Sequence, residues 1–256
     1  MSRIGKAFEK KKVFIGFVTA GDPSLDKTEE FILEMERAGA GLVEIGIPFS
    51  DPIAEGSVIQ EANIRALNAG CTTDRVFDMV ASLRQKTEIP LVFLTYLNPI
   101  FRYGKERFCK RCQAVGIDGL IIPDMPFEEK EELASITKEY GIKLVSMIAP
   151  TSGDRIEMIA KESEGFLYVV SSMGVTGVRN EIKTNVGEIV ERIRRVTNTP
   201  VAIGFGIHTK EQVKEYCTLA DGIIIGSAIT KLIARYGEDA GKEIYTYVNE
   251  RQQFCS

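Results

Sequence analysis

Glu44 stands between Val43 and Ile45 in an otherwise apolar run, and a carboxylate buried in a strand is costly unless it has a partner or a chemical task. A general acid or base is one such task. Desolvation raises a carboxyl pKa toward neutrality, which suits moving a proton at physiological pH. A structural acid bonded to backbone or to a tyrosine such as Tyr168 is the other reading. Glu55 follows eleven residues later in a polar segment, with Asp51 between them. Two carboxylates in different surroundings can divide acid and base duties. A second group of residues suits anion binding: Gly204-Phe205-Gly206, Gly226-Ser227, and Gly174 with Gly177 in the run SSMGVTG. Glycine lets backbone N–H groups approach phosphate oxygens closely, and Ser227 adds a hydroxyl at a helix start. Any one of these glycines could simply end a strand, but three sets at successive strand ends point to a phosphate. Apart from Arg179 just beyond, no Lys or Arg lies in these runs, so amides and helix dipoles would hold the anion.

These residues need elements that bring them to one place. Eight β-branched runs recur, near Val13–Val18, Leu42–Ile47, Leu91–Tyr96, Ile117–Ile122, Lys143–Ile148, Phe166–Val170, Val201–Ile203 and Gly222–Ile225. Amphipathic stretches of helical length separate them, among them Thr28–Arg37, Asp74–Lys86, Glu128–Tyr140, Val186–Arg195 and Lys210–Cys217. Near-continuous apolar strands mean burial on both faces. Eight strand–helix units in 256 residues therefore predict an α/β fold, a single (β/α)8 TIM barrel over residues 1–256 with an N-terminal helix. The segment GIPFSDPIAEGSVIQEANIRALNAG after strand two exceeds a simple βα unit and predicts an extended loop with an extra helix. Asp22-Pro23 reads as the start of the first barrel helix, and Thr209 with Gln212 as a capping box. An open doubly wound sheet would also alternate, but no GxGxxG is present: Gly204-Phe205-Gly206 continues as Ile207-His208-Thr209.

Composition narrows the partners. Lys and Arg number 32 against 36 Asp and Glu, a net charge of −4, which gives no compositional support to nucleic-acid binding. No apolar stretch reaches the ~20 residues of a membrane span, and the N-terminal segment lacks a signal-peptide core, so a cytoplasmic protein is expected. Five scattered cysteines in a chain of this size predict reduced thiols. Cys109 and Cys112 form a CxxC, but with a single histidine, His208, no metal site is expected; two helical cysteines are.

At this point the residues resemble a family, the α subunit of tryptophan synthase. The segments GFVTAGDPS, VEIGIPFSDPIAEGSVIQEANIRAL, SSMGVTGVR, GFGI and IIGSAI are similar to its signature stretches, in order and over essentially the whole chain. The resemblance implies retro-aldol cleavage of indole-3-glycerol phosphate to indole and D-glyceraldehyde 3-phosphate, with no cofactor in this chain. Glu44 matches the family's general acid/base. Gly177, Phe205, Gly206, Gly226 and Ser227 match phosphate positions, Phe17, Tyr96, Tyr168 and Phe205 match aromatic positions around the indole, and Thr176 matches the loop that closes over Glu44. The family's second acid is an aspartate in PxADGP; this chain reads PIAEGS, with Glu55 at that place and Ser57 for the proline. A compensated loop with a working enzyme is expected; the alternative is a weakened subunit that chiefly activates its partner. That implied partner is a β subunit carrying pyridoxal phosphate, in an α–β–β–α heterotetramer. Asp51, Pro52, Asn98 and Phe101 match positions at the contact.

Overall fold

β-branched and aromatic residues fit a pleated surface buried on both sides, and each apolar run becomes a short parallel strand. The computed structural model describes residues 2–9, 12–171, 179–207 and 209–255. In it α1 (Arg3–Phe8) precedes β1 (Val13–Thr19), β2 (Leu42–Gly46), β3 (Leu91–Leu94), β4 (Gly119–Ile121), β5 (Lys143–Ile148), β6 (Leu167–Val170), β7 (Val201–Gly204) and β8 (Gly222–Ile225). Each strand pairs in parallel with the next, and β8 pairs with β1, closing the expected barrel. The connections carry α2 (Leu25–Arg37), α3 (Ser57–Asn68), α4 (Thr73–Leu83), α5 (Leu97–Tyr103), α6 (Lys105–Val115), α7 (Glu131–Glu139), α8 (Ile156–Lys161), α9 (Arg179–Arg194) and α10 (Lys210–Leu219). α11 (Ser227–Tyr236) and α12 (Ala240–Gln252) follow the last strand.

Alternation along each strand sorts its side chains. One set, including Val13, Ile15, Leu42, Val92, Ile121, Val145, Phe166 and Ile224, packs inside the barrel with Ile4 of α1 among them. The neighbours Phe14, Val18, Val43, Ile45, Phe93 and Ile223 face the helices. α1 therefore works as a plug, tied down where Arg3 bonds Glu88 at 2.6 Å and Asp118 at 3.2 Å. α3 is the extra helix expected after strand two, and it leaves the carboxyl-end loop 47–56 between itself and β2.

Local details differ from the sequence expectation at Asp22 and at the chain end, and match it elsewhere. The cap of α2 is Ser24, whose hydroxyl accepts from Lys27 N, while Asp22 is buried and takes both guanidinium contacts of Arg65 on α3, at 2.9 and 2.7 Å. A cap satisfies one amide, but a buried carboxylate gains more from a bidentate arginine. The Thr209/Gln212 capping box forms as expected. A proximity that the sequence does not show also appears: the chain end after α12 returns onto α10 and brings Cys255 beside Cys217, Cα to Cα 5.6 Å. Cys109 and Cys112 lie on α6 as helical neighbours, both buried, and burial pushes their thiols up, that of Cys109 to about 11. They are poor nucleophiles at neutral pH.

Candidate active site

Period-two alternation puts Glu44 on the inward face of β2 with Leu42, since Val43 and Ile45 face the helices. Its backbone registers with Phe17 of β1 and Val92 of β3. The side chain is 1% exposed, its Oε1 has no hydrogen-bond partner among the described residues, and burial pushes its pKa up to about 8. At pH 7 it is a protonated acid. Among the described residues neither backbone nor Tyr168 satisfies Oε1; the nearby Tyr168 hydroxyl is itself pushed well up, by burial and then by the Glu44 charge.

Glu44 borders a cavity of about 1420 Å³ at the carboxyl ends of the strands, and Glu55 borders it too. Phe17, Tyr168, Phe205, Gly206, Gly226 and Ser227 share this lining, with Leu94 and Ile122 adding apolar wall. The cavity exceeds a usual small-ligand site because it runs outward between α7 and α8 along β5, the strand whose outer face is half-covered. Glu55 has different surroundings from Glu44. Burial raises its carboxyl, but Asn63 Nδ2 donates to Oε2 at 2.6 Å and the Tyr96 hydroxyl donates as well, both favouring the ionised form. Tyr96 was expected beside the ring of the substrate. Its hydroxyl takes Ala54 N–H at 3.2 Å and its ring packs against Phe49, beside Glu55, which borders the cavity.

At the other end of the cavity Phe205 and Gly206 take φ of +77° and +72°, a left-handed pair that is costly for Phe205 and turns successive amides at the strand end. Gly226 immediately precedes α11, with Ser227 as its first residue, so α11 aims its N-terminus at the cavity. Two glycines also have a packing cause: a Cβ on Gly226 would lie 3.1 Å from the Phe17 ring, and one on Gly204 would run into Tyr168. Thr176, Gly174 and Gly177 lie outside the described residues, as does His208.

Comparison with known proteins shows the family. A family model described as tryptophan synthase alpha chain matches residues 5–255. The chain belongs to that family. The tryptophan synthase alpha chain of Lacticaseibacillus casei is 47% identical over 98% of this chain and 94% of that protein. Among solved structures, the alpha chain from Legionella pneumophila superposes with a TM-score of 0.90 at 32% identity, covering 99% of this chain and 97% of that one. A chain of the tryptophan synthase a2b2 complex from Pyrococcus furiosus gives 0.88 at 37% identity, covering 95% and 99%.

Within this alpha-chain barrel, sequence reasoning missed two features of the site. Lys231 borders the cavity one turn into α11, although no cation was expected near the glycine runs. Asn63 was missed because a polar helix residue reads as solvated; only its docking against the barrel buries it, to 3% exposure. The four residues matched to a partner contact occupy the loop after β2 and helix α5 after β3, where Ile53 is 79% and Phe101 48% exposed. Among the described residues no helix is long and apolar enough to cross a membrane.

Proposed function

We propose that Glu44 and Glu55 are the catalytic pair of the alpha reaction, and that residues 1–256 form one barrel domain acting in the cytoplasm. The observation that carries this reading is that two carboxylates border one cavity, one kept protonated by burial and one supplied with donors. Phe17, Tyr168 and Phe205 flank the indole, Tyr96 holds Glu55, and Phe205, Gly206, Gly226 and Ser227 take the phosphate; Thr176 and Gly177 complete the site by resemblance. Glu44 gives its proton to indole C3. Glu55 balances the positive charge that appears on the indole N–H. The Glu44 carboxylate then takes the proton of the glycerol hydroxyl next to C3, the O–H electrons form the aldehyde C=O, and the electrons of the broken C3–C bond return to the ring. The proton lent by Glu44 is thus regained, and no cofactor enters the step. Indole passes to a β subunit, which holds pyridoxal phosphate, across the exposed face around Ile53 and Phe101.

The purified chain is expected to release indole from indole-3-glycerol phosphate, faster with the β subunit present, because partner docking closes the loops around the carboxylates. Indole is measured with and without the partner. Activation of the β subunit with no indole release from either mixture would instead fit a weakened subunit.

A further inference from the structure

The loop that carries Glu55 is latched to α3 at two points. Gln60 Nε2 donates to the Glu55 carbonyl oxygen at 2.8 Å, and Asn63 Nδ2 reaches back to the carboxylate at 2.6 Å. Asn63 shares the buried face of α3 with Ile59, Ala62 and Ala66, where an amide without a partner would be costly. α3 is itself fixed, because Arg65 grips the buried Asp22 in a bidentate pair after β1. The Tyr96 hydroxyl closes the third side.

We propose that Asn63 is a positioning residue of the lyase reaction: it holds the Glu55 carboxylate at one place in the cavity, so that the reach of this glutamate is set jointly by the two side chains. This rests on the role of Glu55 given above. Asn63 is not among the residues that border the cavity. Its side chain sets where the negative charge sits and favours that charge, with the Tyr96 hydroxyl as a second donor, while the other titratable groups near Glu55 do neither. Tyr96 approaches from the end of β3, Glu44 borders the same cavity from β2, and Asp124, after β4, is engaged by Leu97 N–H. Among the described residues no lysine or arginine pairs with Glu55, so the neutral Asn63 and Tyr96 donors are what oppose its desolvation.

The test is steady-state indole release in the presence of the β subunit, read as kcat, KM and the pH dependence of kcat/KM, with a thermal melt for every variant. Asn63→Leu is expected to lower kcat about 10- to 100-fold with KM nearly unchanged, since misplacing a reacting group by about 1 Å costs ~10²-fold. The acid limb of kcat/KM should also move to higher pH, because removal of a donor raises the Glu55 pKa. Glu55→Asp alone should lose activity similarly. Glu55→Asp combined with Asn63→Gln, which moves one methylene from one partner to the other, should recover about tenfold over Glu55→Asp. Should Asn63→Leu fail to fold, the double exchange and the shape-conserving Asn63→Asp, which sets a second carboxylate against Glu55, carry the test. A folded Asn63→Leu chain with native kcat and an unmoved acid limb overturns the proposal, as does a double variant whose losses simply multiply. Glu55→Gln separates the two readings. Native kcat in that variant removes the role of Glu55 and this inference with it, whereas a dead Glu55→Gln beside a native Asn63→Leu removes the inference alone.

Discussion

Replacement of Glu44 by Gln is expected to lower indole release by about 10²–10⁴-fold and at the same time to stabilise the fold at alkaline pH. The first effect follows from losing the group that, in the proposed mechanism, both gives and retakes the proton. The second follows from linkage. In the folded chain Glu44 keeps its proton up to about pH 8, whereas in the unfolded chain it loses it at the ordinary carboxyl value. Between those values the folded state binds a proton that the unfolded state lacks, so native stability falls as pH rises. The slope is about 1.4 kcal/mol per pH unit, or up to about 3 kcal/mol from pH 6 to pH 8. Gln does not ionise and escapes this loss. Urea midpoints at pH 6 and pH 9 for the native chain and Glu44→Gln check it: the advantage of the variant should widen toward pH 9, and a constant gap would mean that Glu44 is not held protonated. An enzyme that keeps a buried acid for its chemistry gives up stability for it.

The second large effect concerns Glu55. Glu55→Gln is expected to lose about 10²–10³-fold in kcat, since no charge remains to balance the indole N–H as C3 is protonated. Glu55→Asp should also lose rather than gain, although aspartate is the residue of the family pattern. Here the loop is latched by Gln60 and Asn63 around the longer side chain, and shortening it withdraws the carboxylate by about 1.5 Å. Single-turnover indole formation measures this directly. If the native chain releases no indole and Glu55→Asp restores release, the loop has not adapted to glutamate.

The barrel was legible because burial on both strand faces leaves apolar runs that end in glycine, and a lone Glu44 in such a run is conspicuous. Its inward direction could be read from the alternation with Leu42 alone. Other features depended on contacts between distant segments. Asp22 looks like a helix start, and only the approach of Arg65, 43 residues away, turns it into half of an ion pair. Cys217 and Cys255 read as distant thiols until α12 folds back. Tyr96 could be placed near the substrate by resemblance, but its position beside Glu55 depends on where loop 47–56 settles. Asn63 carries no local signal at all, since nothing in its neighbours distinguishes a buried amide from a solvated one.

The division of labour between the carboxylates is tested most directly by kcat/KM for indole release as a function of pH. In the proposed mechanism activity requires Glu44 protonated and Glu55 ionised, so the profile should fall above about pH 8 as Glu44 loses its proton. On the acid side it should fall above the ordinary carboxyl range, because burial raises Glu55. A kcat/KM that stays level from pH 7 to beyond pH 9, with the fold intact, would contradict the assignment of Glu44 as the acid.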